Sequence, residues 1–276
     1  WYVLAQNGLL NINLDQRSEA FQMWEDALKK SSSGSHAAHA AGYMLSSYEK
    51  SKNWNNLETL SRLCRTQKVA AVYRGKRLDT YRLMALALLE GGKQAVADAQ
   101  YAMAVKKLEE FTKRFKSASN QDEGMFVLAT AYRGNSQHPK SISTLVSFSK
   151  IHSKSRFLRQ ALLNGGDWST SMAYEENTMY FFKKFVKRFN SDSETTRVRG
   201  ELIALYEGRR IYGRAVALLS DINTTESLTR ALEMEDQHGS KKSAQKIADK
   251  IISKSGAGEA AKAEAYAVKA RYATSK

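Results

Sequence analysis

Residues 122–150, DEGMFVLATAYRGNSQHPKSISTLVSFSK, contain two helical patterns separated by a short break. The first pattern places apolar side chains at the i, i+3, i+4 and i+7 positions of one helix face, at Met125, Leu128, Ala129 and Tyr132. The break is Gly-Asn-Ser at 134–136, and Pro139 suits the start of the next helix, where its missing N–H costs nothing. The second pattern buries Ser141, Ile142, Leu145 and Phe148. This stretch therefore predicts a helical hairpin.

The same hairpin pattern recurs along the chain. When residues 106–148 are laid over 180–222, a shift of 74 residues, ten of the 43 pairs are identical. A shift of half that length, 37 residues, also aligns equivalent positions. A large apolar side chain recurs at this spacing, at Phe111, Phe148, Phe185 and Ile222. A period of this length is typical of a solenoid of stacked repeats. We expect the three phenylalanines to occupy equivalent core positions.

The repeats predict an all-α fold, one continuous array of about seven helical hairpins followed by a terminal helix, and no strands. The expected units are 1–34, 35–71, 72–118, 119–155, 156–192, 193–223 and 224–256, with the terminal helix at 258–273. Gly91-Gly92 and Gly165-Gly166 are each predicted to end a helix, because glycine is common just after helix C-termini. Asp167 is then the expected cap of the next helix.

The residues of the hairpin resemble the tetratricopeptide repeat. Its leucine, small residue, tyrosine, small residue and large apolar residue are matched by Leu128, Ala129, Tyr132, Ser141 and Leu145. The second-helix endings FTKRF at 111–115 and FVKRF at 185–189 look like those of bacterial cell-envelope repeat proteins. The chain departs from the family in its missing prolines, its phenylalanines at small-residue positions and its 37-residue period, against 34. The resemblance implies a right-handed α–α superhelix whose first helices line a concave face.

Composition narrows the class of protein. Hydrophobic residues make up 42% of the 276, which suits a folded core, and the apolar run at 83–89 is far short of the roughly 20 residues of a membrane span. The single cysteine, Cys64, excludes an intrachain disulfide. A net charge of +15 indicates polyanionic partners or a solvated basic surface. Aromatic residues are not interleaved with the basic ones for base stacking, so specific nucleic-acid binding is not expected.

No pattern predicts an enzyme, a metal site or a cofactor. His36 and His39 are three residues apart, but no further ligands lie near them in sequence. Gly91-Gly92-Lys93 lacks the spacer and the Ser/Thr of a phosphate-binding loop. The carboxylate pairs, such as Glu175-Glu176, stand in strongly polar sequence, which does not desolvate a general acid. We therefore expect a non-enzymatic protein without cofactors.

Two candidate binding surfaces follow from the repeat. Positions between the core residues of first helices point toward the concave face, where mixed aromatic, basic and acidic side chains suit a peptide or protein ligand. This first-helix face comprises Tyr2, His39, Phe126, Arg133, Arg197 and Glu207. Cations also cluster at second-helix ends, where they either offset the helix dipole or stack into a cationic ridge. This basic edge comprises Lys113, Arg114, Lys187 and Arg188.

The sequence thus favours a scaffold for protein–protein contacts, in the periplasm or cell envelope of a bacterium. One alternative is an accessory superhelical domain of a larger cell-wall enzyme such as a lytic transglycosylase. Another is an electrostatic binder of anionic surfaces, including an anionic membrane. Because residue 1 is Trp and the helix predicted at 260–272 has no evident end, we expect a piece of a longer chain. The partner's identity and the oligomeric state stay open.

Overall fold

A computed structural model describes residues 35–273, without the side chain of His36, together with Asp26. The predicted unit 1–34, Asp26 apart, and Tyr2 of the first-helix face lie outside the described residues. Thirteen helices cover most of the described part of the chain. They are α1 (Ser35–Lys50), α2 (Trp54–Thr66), α3 (Thr80–Ala97), α4 (Tyr101–Arg114), α5 (Gln121–Gly134), α6 (His138–Ile151), α7 (Leu158–Ser171), α8 (Glu175–Arg188), α9 (Thr195–Gly208), α10 (Tyr212–Ile222), α11 (Thr225–His238), α12 (Lys241–Ser253) and α13 (Glu259–Ala273).

From α1 to α6, and again from α7 to α13, each helix packs on the next one along the chain, so the predicted all-α fold of helical pairs is confirmed. Six pairs run from α1/α2 to α11/α12 in the described residues, and α13 packs on α12 and α11. The chain divides into two compact units, the first ending at Phe157 and the second beginning at Leu158. The single continuous array of the predicted units stays a prediction.

The expected absence of strands is wrong between α2 and α3. There β1 (Val72–Tyr73) pairs with β2 (Lys76–Arg77) in an antiparallel hairpin. Arg74 and Gly75 at its tip both have positive φ, 50° and 75°, as a two-residue type I′ turn requires. Gly42 of α1 lets the hairpin approach, since a Cβ there would overlap the Val72 carbonyl. Strands of two residues are too short to show an alternating pattern in the sequence.

The phenylalanines of the 37-residue ladder are equivalent, as predicted. Phe111, Phe148 and Phe185 are each 0% exposed in the last turns of α4, α6 and α8. In all three helices the phenylalanine carbonyl accepts a hydrogen bond from the backbone N–H four residues on, at 2.8–2.9 Å. The ladder ends there, because Ile222 is only half-buried and α10 stops at Asn223, whose φ is 56°.

A second 37-residue series lies in the turns within the pairs. Left-handed backbone, with φ of 56° to 57°, recurs at Ala99, Ser136, Ala173 and Arg210. After each of these residues the next N–H donates to the carbonyl five positions back, for example Gln137 N to Tyr132 O at 2.8 Å. This is the Schellman ending of a helix, which usually carries glycine. In all four repeats the first helix therefore ends with the same geometry, at a residue whose side chain makes left-handed backbone sterically unfavourable.

Replacing Ala173 with glycine is expected to raise the free energy of unfolding by about 0.5–1 kcal/mol, because glycine adopts this φ without a Cβ clash. Denaturant melts followed by circular dichroism would measure the gain. Ala204→Gly is the matched control, since Ala204 is an exposed residue inside α9. There the same change should cost about 0.5–1 kcal/mol. A loss of stability at position 173 would contradict the strain argument.

The two glycine pairs do not end helices, so that prediction is wrong. Gly91-Gly92 lies inside α3, and Gly165-Gly166 lies inside α7 together with Asp167, which caps no helix. A Cβ at Gly92 would lie 2.6 Å from Leu108 Cγ, and one at Gly165 would lie 2.6 Å from Phe181 Cδ1. The two pairs are 74 residues apart, which is the repeat shift. Close approach of the second helix therefore overrides the low helix propensity of glycine.

Candidate functional site

The first-helix face contains both aromatic and charged side chains, and in the first unit it is partly apolar. His39 is exposed on α1, and its Nδ1 donates to the Ser35 carbonyl at 2.6 Å. Phe126 is only partly exposed, because its ring stacks on Phe157 at 5.3 Å between centroids and also lies 6.3 Å from Phe148. Phe126 therefore has a packing role whatever it binds.

The charged members of the first-helix face are engaged within the chain. Arg133 donates to Nδ1 of His138 at 3.0 Å. Glu207 accepts from Arg230 at 2.6 Å, which ties α9 to α11. Arg197 is held by three carboxylates of its own unit, at 2.6 Å from Glu201, 2.7 Å from Glu194 and 2.9 Å from Asp167. The ion pairs of Arg197 and Glu207 thus neutralise these two side chains within the second unit.

The basic edge is mostly unmatched. Arg114 pairs with Glu110 one turn earlier, at 2.5 Å. Lys113, Lys187 and Arg188 are exposed, and none of them has an ion pair with a carboxylate of the described residues. All four lie in the last turns of α4 or α8, where they also complement the helix dipole. A ridge running along both units stays a prediction.

Next to Lys187 the second unit has a depression of about 460 Å³ between α8, α9 and α10. Its floor is apolar and well packed, with Leu202 1% and Tyr206 2% exposed. We call it the basic groove, because four cations surround this floor and Asp221 is the one carboxylate among its lining residues. The cations are Lys183, Lys187, Arg199 and Arg214. The groove therefore combines a positive rim with a nonpolar base.

None of the four cations has an ion pair with a carboxylate in residues 35–273. Nε of Arg199 is buried and has no hydrogen-bond acceptor among the described residues. Arg214 lies over the ring of Tyr206, 5.9 Å from its centroid, which holds the guanidinium at the floor. Arg159 of the same unit is matched by contrast, because it donates to Asp192 at 2.6 Å and lowers the pKa of that carboxyl to about 2.

The first unit has a depression at the corresponding end of α4, where two carboxylates, Glu109 and Glu110, stand beside Lys106, Lys113, Arg114 and Lys140. It lies between α4 and the α5/α6 turn. Glu109 stands at the position of Lys183, and it accepts from the Tyr132 hydroxyl at 2.6 Å and lies 3.9 Å from Lys140. Met125 stands at the position of Arg199. In the second unit these two exchanges remove one carboxylate and add two cations.

Sequence analysis missed Arg199 and Arg214 as candidate binding residues. The signal was present in the alignment at the 74-residue shift, as charge changes at otherwise matching positions: Glu109 to Lys183 and Met125 to Arg199. That alignment served to find identities, which mark the shared core. Differences between equivalent surface positions instead show where the surface chemistry of one repeat departs from that of the other.

Side chains suited to catalysis or metal binding do not gather in the described part of the chain. No group of three His, Cys, Asp or Glu side chains is close enough to hold a metal ion there. Burial raises the pKa of the Cys64 thiol to about 11, which makes it a packed side chain and a poor nucleophile at neutral pH. No helix in residues 35–273 is both long and apolar enough to cross a membrane.

Comparison with known proteins adds a likeness of fold. No family model matches the chain, and no curated protein matches it in sequence. Solved structures do match, and tetratricopeptide-repeat proteins are among them. A tetratricopeptide repeat protein from Parabacteroides merdae is 10% identical, with a TM-score of 0.36 and 98% of each chain covered.

Two further matches are similar in kind. The TPR domain of P58(IPK) is 12% identical, with a TM-score of 0.29, and covers 99% of this chain and 80% of that one. RapI in its apo form is 10% identical, with a TM-score of 0.42, and covers 98% of this chain and 84% of that one. Because these TM-scores are low, the fold assignment rests on the helical pairs of the structure and not on the matches. Such an array is the architecture of protein-interaction scaffolds.

Proposed function

We propose that this chain is a non-enzymatic scaffold that binds a protein or peptide partner in a bacterial envelope assembly. Stacked helical pairs present long, preformed surfaces, which suits recognition of an extended or irregular partner. The envelope setting is supported by the second-helix endings at 111–115 and 185–189, which look like those of envelope repeat proteins. The partner makes its anchoring contacts on the first-helix face.

The observation that carries the proposal is the distribution of matched and unmatched charge. Arg197 and Glu207 on the first-helix face are neutralised by their own unit. Lys113, Lys187 and Arg188 on the basic edge have no such carboxylate in the described residues. With a net charge of +15, the unmatched cations favour an acidic partner and speed its approach.

Affinity capture from native extract, with the recovered partner identified and purified, tests the proposal. Surface plasmon resonance then compares two variants with the parent chain. Charge reversal of the basic edge, by Lys113→Glu, Arg114→Glu, Lys187→Glu and Arg188→Glu, is expected to slow association by about tenfold and to remove most of its salt dependence. His39→Ala with Arg133→Ala on the first-helix face is expected to raise the dissociation rate with little effect of salt.

Circular dichroism of both variants is the control for folding, because exposed substitutions of this kind usually change stability by about 0.5 kcal/mol or less. Vesicles containing phosphatidylserine serve as a second analyte. Capture of vesicles without any protein partner would replace the scaffold by an electrostatic binder of anionic surfaces. A partner that binds both variants like the parent chain would move the site away from both surfaces.

A further inference from the structure

The basic groove of the second unit combines unmatched cations with a recessed apolar floor. Lys183 and Lys187 lie on one wall, Arg214 on the other, and Arg199 enters from α9 below them. Leu202 and Tyr206 of α9 close the floor, and Ala217 and Leu218 of α10 extend it. A ligand that fits this surface therefore carries negative charge beside a nonpolar group.

The buried edge of Arg199 strengthens this argument. A buried N–H without an acceptor lowers stability, and a carboxylate reaching that edge would supply the missing acceptor in a charge-assisted hydrogen bond. In the first unit a carboxylate does line the corresponding depression, because Glu109 lies there in contact with Tyr132 and Lys140. The second unit has Lys183 at that position, and Asp221, the one carboxylate that lines the basic groove, forms no ion pair with the four cations in residues 35–273.

We propose that the basic groove binds an acidic segment of the partner protein, in which carboxylate side chains flank an apolar one. The apolar side chain packs on Leu202 and Ala217, and the carboxylates meet Lys187 and Arg199. This inference rests on the proposed scaffold function and names the chemistry of one of its contacts. It places that contact between second helices, away from the first-helix face.

Other anionic ligands fit less well. A flat membrane surface does not reach the floor of a recess bounded by three helices. Nucleic-acid bases need an accessible aromatic platform, and the one aromatic lining residue, Tyr206, is 2% exposed. Inorganic phosphate has no group to pack on the apolar floor. An acidic peptide satisfies both the charge and the nonpolar base.

Fluorescence anisotropy with a labelled 12-residue peptide of Glu, Asp and Leu tests the inference on the full chain. A second peptide in which Gln and Asn replace the acids has the same size and apolar content. We expect the acidic peptide to bind, the neutral one to bind at least tenfold more weakly, and the difference to shrink as salt rises.

Two groove variants locate the binding. Lys183→Gln with Lys187→Gln removes two exposed charges, and Arg199→Gln removes the partly buried one. Each is expected to weaken binding of the acidic peptide by about tenfold. Lys242→Gln with Lys246→Gln is the matched control, because it removes two exposed charges of α12, outside the groove, and should change binding less than twofold. Melting curves show whether Arg199→Gln stays folded. If it unfolds, Lys183→Gln with Lys187→Gln still tests the groove.

Several results would overturn the inference. The first is equal binding of both peptides; the second is equal weakening by the groove and control pairs. Binding of phosphatidylserine vesicles or inorganic phosphate in place of the peptide would assign the cations to another ligand. Absence of peptide binding would also refute it. If the captured partner still binds the groove variants like the parent chain, the scaffold function stands and this contact fails; if no partner is captured, the scaffold function itself fails.

Discussion

Replacing Phe148 with alanine is expected to lower the free energy of unfolding by about 3–5 kcal/mol, the usual cost of truncating a buried phenylalanine. The ring is 0% exposed, and it lies against His152 at 5.4 Å and Phe126 at 6.3 Å between centroids. Its removal leaves a cavity between α5 and α6 that rigid neighbouring helices cannot close. Guanidinium melts followed by circular dichroism measure the loss.

Ile151→Ala is the matched control for this prediction. Ile151 lies on the same helix, α6, but 67% of it is exposed, so its truncation should change stability by about 0.5 kcal/mol or less. A loss of under about 1 kcal/mol for Phe148→Ala would mean that the 37-residue ladder does not mark the core.

Replacing Gly166 with alanine is expected to destabilise the second unit by about 2–3 kcal/mol, even though alanine is the better helix former. The added Cβ would overlap the ring of Phe182, which is 0% exposed and has no space to move into. To accommodate it, α7 and α8 would have to separate. Denaturant melts measure the change, and the midpoint should fall.

Gly200→Ala tests the same substitution without the contact. Gly200 is an exposed residue inside α9, and a Cβ there would meet no atom within 4 Å. It should therefore stabilise the chain by about 0.5–1 kcal/mol through helix propensity alone. If Gly166→Ala behaves like Gly200→Ala, the close approach of α7 and α8 is not a requirement of the fold.

The helical pairs were predictable because every repeat solves the same packing problem. A side chain that fills the space between one pair of helices recurs where the next pair meets, so Phe111, Phe148 and Phe185 appear at a constant spacing. That regularity is a property of the sequence and needs no neighbour to be known. The 74-residue identities report the same shared core.

The glycine pairs show where local patterns fail. Taken locally, Gly91-Gly92 and Gly165-Gly166 resemble helix ends, because glycine weakens a helix. In the structure they lie against Leu108, Phe181 and neighbouring side chains of the following helix. The contact across the pair decides their role, and it joins residues 16 positions apart, Gly92 and Leu108 or Gly165 and Phe181, which no helix period relates. The residues of the turns that adopt left-handed backbone, Ala99 and Ser136, are not glycines, so the sequence did not mark them for a positive φ.

The charges of the candidate surfaces show the same contrast between local sequence pattern and tertiary contact. The sequence by itself determined that cations gather at second-helix ends such as Lys187, and that the chain folds as helical pairs. Only the tertiary structure decided which charges are neutralised, as for Arg197, and which are left unmatched, as around Arg199. The physical reason is the sequence distance over which each interaction is determined. Helix formation and burial follow a local period that can be read from neighbouring residues. An ion pair instead depends on which side chains from distant segments come within a few ångströms of each other.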